Sequence, residues 1–320
     1  MSILLLLSFL ISLNAGASEI SLWDTALDIV HGKSSEAVVI LWDIRMPRSL
    51  LAVFLGASLG LAGASMQGLL RNPLAEPGVL GVNGGAVLGA VLVIYSGLAS
   101  SFSLALPLGG MAGAFLTVLI LYLFAGYMAS VQTLILAGIA INTLAFAGTS
   151  LVLNLSKDPY AALEIVFWQM GSLTDRSFDH LTLVAPFVLL GCLLLLWDGR
   201  ALNALSLGEE AAMSLGIPIQ RVRFRIILGT ALAVGGVTAV CGSVVFVGLM
   251  VPHLFRPLVK HEPGKLLGIS AVGGAVLVLW ADLFVRYFSV GTELKLGVLT
   301  SLIGAPFFLA LIFKMRRNVS

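Results

Sequence analysis

The stretch Gln67-Gly-Leu-Leu-Arg-Asn-Pro-Leu-Ala-Glu-Pro-Gly-Val-Leu-Gly81 separates two long apolar runs, 49–70 before it and 79–97 after it. Asn72-Pro73 and Pro77-Gly78 each interrupt a helical pattern. Each flank is close to the roughly 20 residues a helix needs to cross a bilayer. Non-helical backbone at the edge of a membrane must be buried in protein or line a watery cavity. The loop therefore reads either as a tight turn between two spans or as a gate or partner contact on one membrane face.

Working outward, the same alternation of apolar run and break covers the chain. Runs at 2–17, 49–70, 79–97, 104–126, 132–154, 181–198, 224–241, 243–259, 266–288 and 296–314 predict about ten membrane helices. The runs are continuous rather than alternating, which argues against a β-barrel. Composition agrees: of 320 residues 59% are hydrophobic and 11% charged, against roughly a quarter charged in a soluble domain. The mean hydropathy is +1.05. Too few polar residues remain to cover a soluble surface, so a soluble enzyme, a disordered chain and a nucleic-acid binder are excluded. The expected fold is all-α and polytopic, one transmembrane domain over 1–320. Gly56 and Gly60, Gly85 and Gly89, and Gly109 and Gly113 have the small-xxx-small spacing that lets helices touch. Cys192 and Cys241 lie in apolar stretches with no metal or disulfide spacing and read as space-fillers. Met1 enters its apolar run with no basic residue ahead. Asn14-Ala15-Gly16-Ala17-Ser18 only faintly resembles a cleavage region, so the segment reads as a short first span, its abrupt start fitting a late start codon.

Lys and Arg placement sets orientation. The side of Lys314, Arg316 and Arg317 carries 11 basic and 5 acidic residues, the other side 7 basic and 10 acidic, and Asp282 stays inside the ninth span. The first side is therefore cytoplasmic and holds both termini. The acid-rich segment 19–43 and the loop 157–179 are outside.

Several segments exceed a generic connector, and each has a plain structural reading beside a functional one. Arg45-Met-Pro-Arg48 reads as interfacial snorkelling or as a cationic docking point, composition favouring the former. The loop 201–225 reads as two short helices joined at Gly208 and stopped by Gly216-Ile-Pro218, with Leu205, Leu207, Ala211 and Leu215 as an apolar face. It suits a helix lying on the membrane or one docking a soluble subunit. His253 has no second ligand at metal spacing and reads as a hydrogen-bonded structural residue, so no metal site is expected. Asp282 and Arg286, four apart on one helix face, suit a local ion pair. Gly32-Lys33-Ser34 imitates a phosphate-binding loop, but the required earlier Gly is Leu27. No nucleotide site is expected in this chain.

Taken in order, Arg45-Met-Pro-Arg48, the octapeptide 71–78, Leu136-Ala-Gly138, Trp168-Gln-Met-Gly171, Leu207-Gly-Glu-Glu210, Gly248-Leu-Met-Val-Pro-His253, Ala281-Asp282 and Gly304-Ala-Pro-Phe307 resemble the permease family of type II ABC importers for ferric siderophores, haem and vitamin B12, the FecCD family. The likeness covers nearly the whole chain. It implies ten transmembrane helices per subunit and a dimer of permeases, a homodimer or a pair with a related chain, in a bacterial inner membrane. It also implies two ATPase subunits below that use ATP and Mg, and a periplasmic or lipid-anchored substrate-binding protein outside. No cofactor is implied for this chain, and no nucleic-acid partner. Asn203, Leu205, Leu207, Gly208, Glu209, Glu210, Leu215 and Gly216 match the helices that couple to the ATPase, within 201–218. Arg45, Arg48 and Arg286 match the outer arginines that receive acidic residues of the binding protein. Asn72 and Leu74 match one constriction of the cytoplasmic gate, and Val131 and Gln132 the other. Small hydroxyl residues occupy the second position in the vitamin B12 member, so Val131 and Gln132 depart from it. The family's pathway runs along helices five and ten, which makes Asn142, Thr143, Thr149, Thr300 and Ser301 the lining candidates, with helix–helix hydrogen bonding as their plain reading.

The implied activity is alternating access driven by a partner's ATP cycle, with ferric siderophore as the first cargo expected, then haem and vitamin B12. A secondary transporter predicts related halves and buried titratable groups along its path, and only Asp282 and His253 answer that. A membrane enzyme needs a convergent catalytic set, and His31, His180, His253 and His261 are scattered. A channel leaves the helical loop 201–216 without a purpose.

Overall fold

A computed structural model describes residues 1–16, 18, 20–33, 35–289 and 293–317, without the side chains of 312 and 314–317. Ala17 of the small-residue stretch and the side chains of Lys314, Arg316 and Arg317 lie outside the described residues. The described chain is helical: α1 Ser2–Asn14, α2 Leu22–Val30, α3 Glu36–Val39, α4 Met46–Leu70, α5 Val82–Tyr95, α6 Ala105–Ala125, α7 Val131–Leu155, α8 Pro159–Gln169, α9 Phe178–Trp197, α10 Gly199–Leu205, α11 Glu209–Ser214, α12 Ile219–Cys241, α13 Val247–Phe255, α14 Pro263–Phe288 and α15 Leu296–Arg317. Six helices are long and apolar enough to cross a membrane, and four shorter apolar ones accompany them. The ten apolar runs of the sequence thus all become helices, but not all at full length.

The glycine pairs explain how the bundle closes. A Cβ on Gly56 would stand 2.1 Å from the Gly274 carbonyl, and one on Gly60 would stand 2.1 Å from that of Ser270. Helices α4 and α14 therefore pack backbone to backbone. Gly89 meets the Gly109 carbonyl and Gly113 that of Gly85, each at 2.1 Å from the added Cβ, so α5 and α6 lock in the same way. In lipid, where apolar surface gives helices little reason to associate, such approach is a main source of packing energy. Helices α4 and α12 form the centre, each with 78% of its apolar window buried within the chain, against 22% for α7.

Three local departures matter for function. The second span begins earlier than read: Glu36–Leu70 is one continuous helical stretch. Pro47 has no N–H to give, and just before it the chain runs through a π-helical turn, Ile40–Arg45, with Met46 N–H donating five residues back to Leu41 O. The eighth span, read as 243–259, is broken. Residues 242–246 are not helical, and α13 has 9 residues. Gly242 (φ +74°) turns the chain here; a side chain on it would strike the Trp168 carbonyl. Finally, the loop 157–179 contains α8, a helix that the apolar runs of the sequence do not mark. Asp158 caps it by accepting the Tyr160 amide at 2.9 Å, and Pro159 sits in its first turn.

Candidate functional site

A cavity of about 480 Å³ opens at the centre of the molecule. Its wall combines Leu59 of α4, Glu76 to Gly78 of the interrupted loop, Asn83, Gly84 and Val87 of α5, Asn142, Thr143, Phe146 and Thr149 of α7, Gln169 of α8, and the broken segment Ser243 to Phe246 with Gly248. The non-helical backbone of 242–246 therefore borders a cavity, as unpaired backbone at membrane depth must. The end carbonyl of Cys241 is satisfied from outside the helix by Ser172 N–H at 2.8 Å. Three of the five expected lining residues, Asn142, Thr143 and Thr149, converge here. Gly84 makes room for Asn142, since a Cβ there would lie 2.3 Å from Oδ1. Thr149 Oγ1 is buried and has no hydrogen-bond partner among the described residues. Thr143 donates back to Ile139 O at 2.9 Å.

Thr300 is buried and turns its hydroxyl to Gly297 O at 3.1 Å; it does not line this wall. Ser301 donates to the same carbonyl at 2.7 Å and lines an adjoining cavity that shares Gln169, Ser243 and Val245 with the first. Sequence reading missed Glu76, Asn83, Gln169 and Ser243. Among the described residues Glu76 is the one charged side chain in the wall, and burial pushes its carboxyl up from the ordinary glutamate value.

The four gate residues are not in this wall. Asn72 Oδ1 accepts the Leu74 amide at 2.9 Å, an Asx turn that shapes the loop. Val131 opens α7 beside exposed Gln132, and Ser130 caps that helix by accepting Thr133 N–H at 3.2 Å. The loop reaches α7 at Gly138, where a Cβ would stand 2.2 Å from Val79 O. This gives the motif Leu136-Ala-Gly138 its packing reason.

The loop 201–218 folds as two short helices joined at Gly208 (φ +110°) and ended at Gly216 (φ +78°). Its apolar face differs from the one read. Leu205 turns inward with Ala201, Leu202 and Ala212, whereas Leu207, Met213 and Leu215 point out, 72%, 56% and 63% exposed. Asn203 is a clamp: its Nδ2 donates to Glu262 Oε1 at 3.2 Å, and its Oδ1 accepts Gly264 N–H at 2.7 Å. Glu209 pairs with buried Arg223 at 2.6 Å, and Glu210 stays exposed.

The three arginines that the resemblance assigns to docking are all engaged within the chain. Arg45 is 4% exposed and donates to the carbonyls of Leu13, Asn14 and Ser18, closing the end of α1. It is not a snorkelling side chain. Arg48 and Arg286 both grip Asp282, at 2.8 and 2.6 Å. The Asp282–Arg286 pair follows from the sequence; the third member, far away in the chain, does not. Two guanidiniums on one carboxylate leave net positive charge beside a cavity of about 330 Å³ lined also by Thr174 and Glu293. His253 meets Phe307 edge-on at 6.0 Å between ring centres. No group of three His, Cys, Asp or Glu is placed to hold a metal among the described residues.

Comparison with known proteins now has a geometry to meet. The FecCD transport family matches residues 4–314. The hemin transport system permease protein HmuU of Yersinia pestis is 38% identical over 99% of this chain and 95% of its own. The vitamin B12 import system permease protein BtuC of Citrobacter koseri is 34% identical over 99% of this chain and 94% of its own. A solved structure described as a metal-chelate type ABC transporter in an inward-facing conformation superposes with a TM-score of 0.86 at 33% identity, covering 98% of this chain and 97% of that one. On the family match and on these full-length relatives, the chain belongs to the FecCD transport family of multi-pass ABC-transporter permeases.

Proposed function

We propose that this chain is the membrane subunit of an ATP-driven importer whose cargo is a ferric siderophore or another iron chelate. The observation that carries the reading is the central cavity. It is walled by uncharged polar groups and apolar surface around the single carboxylate of Glu76, and it adjoins a second cavity reaching α15. A large cargo needs such a weakly retaining passage, because tight binding midway stalls release. Haem is the second reading, supported by the 38% identity to the hemin permease; vitamin B12 is the third.

In this reading the chain makes no covalent chemistry, binds no cofactor and holds no nucleotide; a partner ATPase uses ATP and Mg. Leu207, Met213, Leu215 and Glu210 present the surface that meets it, held up by Asn203, Leu205, Gly208, Glu209 and Gly216. Two permeases pair, as a homodimer or with a related chain. The exposed face of α7 and the hydroxyl of Ser301 line the passage between them, and Asn72, Leu74, Val131 and Gln132 close it below. A binding protein docks outside over the positive mouth at Arg45, Arg48 and Arg286, where its carboxylates meet charge already fixed in place. Both termini are cytoplasmic.

Uptake of labelled ferric siderophores, haem and cobalamin in cells with and without the chain, each with and without ATPase inhibition, tests the proposal. Loss of one uptake on deletion, also blocked by the inhibitor, is expected. Uptake that needs the chain but survives ATPase loss and collapses with the proton gradient would establish a secondary transporter instead.

A further inference from the structure

We infer that Arg223 is the positioning residue that carries movement of the α11 surface to the start of α7, and so to the wall of the central cavity. This inference rests on the importer reading above. Arg223 lies in the first turns of α12 yet is 5% exposed. Its guanidinium forks between two elements: Nη2 donates to Glu209 Oε1 of α11 at 2.6 Å, and Nη1 donates to Ala129 O at 3.0 Å. Ala129 is itself buried and precedes Ser130, the cap of α7. Beside it Phe224 packs on Tyr122 and Tyr127, at 5.4 and 6.2 Å between ring centres, holding the segment before Ala129 against α12.

The physics makes this a linkage and not merely a fastening. Nε of Arg223 is already buried without a partner among the described residues, so the buried charge rests on the bonds its two Nη groups make, to Glu209, to Ala129 O and, at 3.4 Å, to Gln220 Oε1. If α11 is displaced with Glu209, the arginine gives up Glu209 and leaves its own buried charge unpaired, or leaves the Ala129 carbonyl and strands two buried polar groups, or takes the turn with it. Each of the first two leaves a buried group uncompensated, so moving with both partners is the cheaper course. The planar fork fixes the angle between its two partners, which a lysine cannot do. Helix α7 then moves from its first residue, and it carries Asn142, Thr143 and Thr149 in the cavity wall.

The test uses the complete complex of paired permeases, ATPase and binding protein in proteoliposomes. Nitroxides are attached at Gln132→Cys in a background of Cys192→Ala and Cys241→Ala, and the ATPase is trapped with ATP and vanadate so that its state is fixed. Pulsed electron paramagnetic resonance reads the distance between the two labels. The unsubstituted chain is expected to change that distance on trapping. Arg223→Gln is expected to lose at least two-thirds of the change while the ATPase still co-purifies. Arg223→Lys, which keeps the charge opposite Glu209 and with it the fold, is expected to recover only part; it carries the test if Arg223→Gln fails to assemble. A full distance change in Arg223→Lys, or in both variants, overturns the inference alone. Failure of the unsubstituted chain to retain an ATPase, or to move at Gln132, overturns the importer reading and the inference with it.

Discussion

At the scale of single residues, the end of the molecule beside α1 is organised by the carboxylate of Asp282. Asp282 is 1% exposed and receives both Arg48 and Arg286, while Arg286 also reaches Ser12 O at 2.8 Å on α1. Burial penalises an uncompensated charge, and here the one buried carboxylate is held by both guanidiniums. The spacing of Asp282 and Arg286 was readable because four residues make one helix face. Arg48 was not readable as their partner, because nothing in a sequence tells which of two distant helices will touch. Asp282→Asn is expected to destabilise the folded chain by up to about 3 kcal/mol, the low end for breaking a buried pair, since it leaves two partly buried guanidiniums facing each other. Replacing the cluster together, as Arg48→Met, Asp282→Leu and Arg286→Met, is expected to recover most of that loss. Thermal unfolding in detergent measures both. A single variant that melts with the parent would show the cluster to be hydrated and loose.

At the scale of elements, turn and cap chemistry decided what could be foreseen. The helix pair at 201–216 was visible because Gly208 and Gly216 supply the positive φ angles that its joint and stop require. The inward face of that pair was misread because helices this short take their orientation from the protein beneath them and not from their own periodicity. Helix α8 went unread although Asp158-Pro159 is a sound start signal, because its apolar residues follow no amphipathic stripe. It nonetheless supplies Gln169 to the cavity, and its C-terminal turn is stitched to α15: Leu296 N–H donates to Gly171 O at 2.9 Å and Gly297 N–H to Met170 O at 3.0 Å. Glu293 tightens this seam through Lys295, Ser172 and Thr174. Burial alone would raise its carboxyl, but those hydrogen bonds outweigh it and hold the group below the ordinary glutamate value. A lowered folded value means the seam gains stability above the unfolded value of about 4.3 and loses it as pH falls through the folded one. Hydrogen exchange at the Leu296 and Gly297 amides is therefore expected to quicken in Glu293→Gln at neutral pH, and the difference from the parent to vanish in strong acid. Equal protection at neutral pH would remove Glu293 from the seam.

At the scale of the whole molecule, the two ends are distinct in geometry before they are distinct in function. Arg45, Arg48, Thr174, Arg286 and Glu293 gather at one cavity, and these are residues that charge counting places outside. Glu209 with Arg223, and Asn203 with Glu262, gather at helices that the same counting places inside. Charge counting assigns that partition because Lys and Arg are retained on the cytoplasmic side during insertion. The cavity between the ends was not legible in the sequence, since its wall draws on five helices and a break that no single stretch of sequence announces. The proposed orientation rests on the charge asymmetry and can be tested directly. In a chain with Cys192→Ala and Cys241→Ala, produced without its partners, Leu27→Cys and Leu215→Cys place a thiol at each end, on side chains 40% and 63% exposed. A membrane-impermeant maleimide is expected to label Leu27→Cys in intact spheroplasts, and Leu215→Cys only after permeabilisation. The reverse pattern would put the exposed Leu207, Met213 and Leu215 surface outside, away from any ATPase, and the positive mouth at Arg48 and Arg286 inside, away from any external binding protein. Both proposed docking faces stand or fall on that one assignment, because each needs a partner that exists on only one side of the membrane.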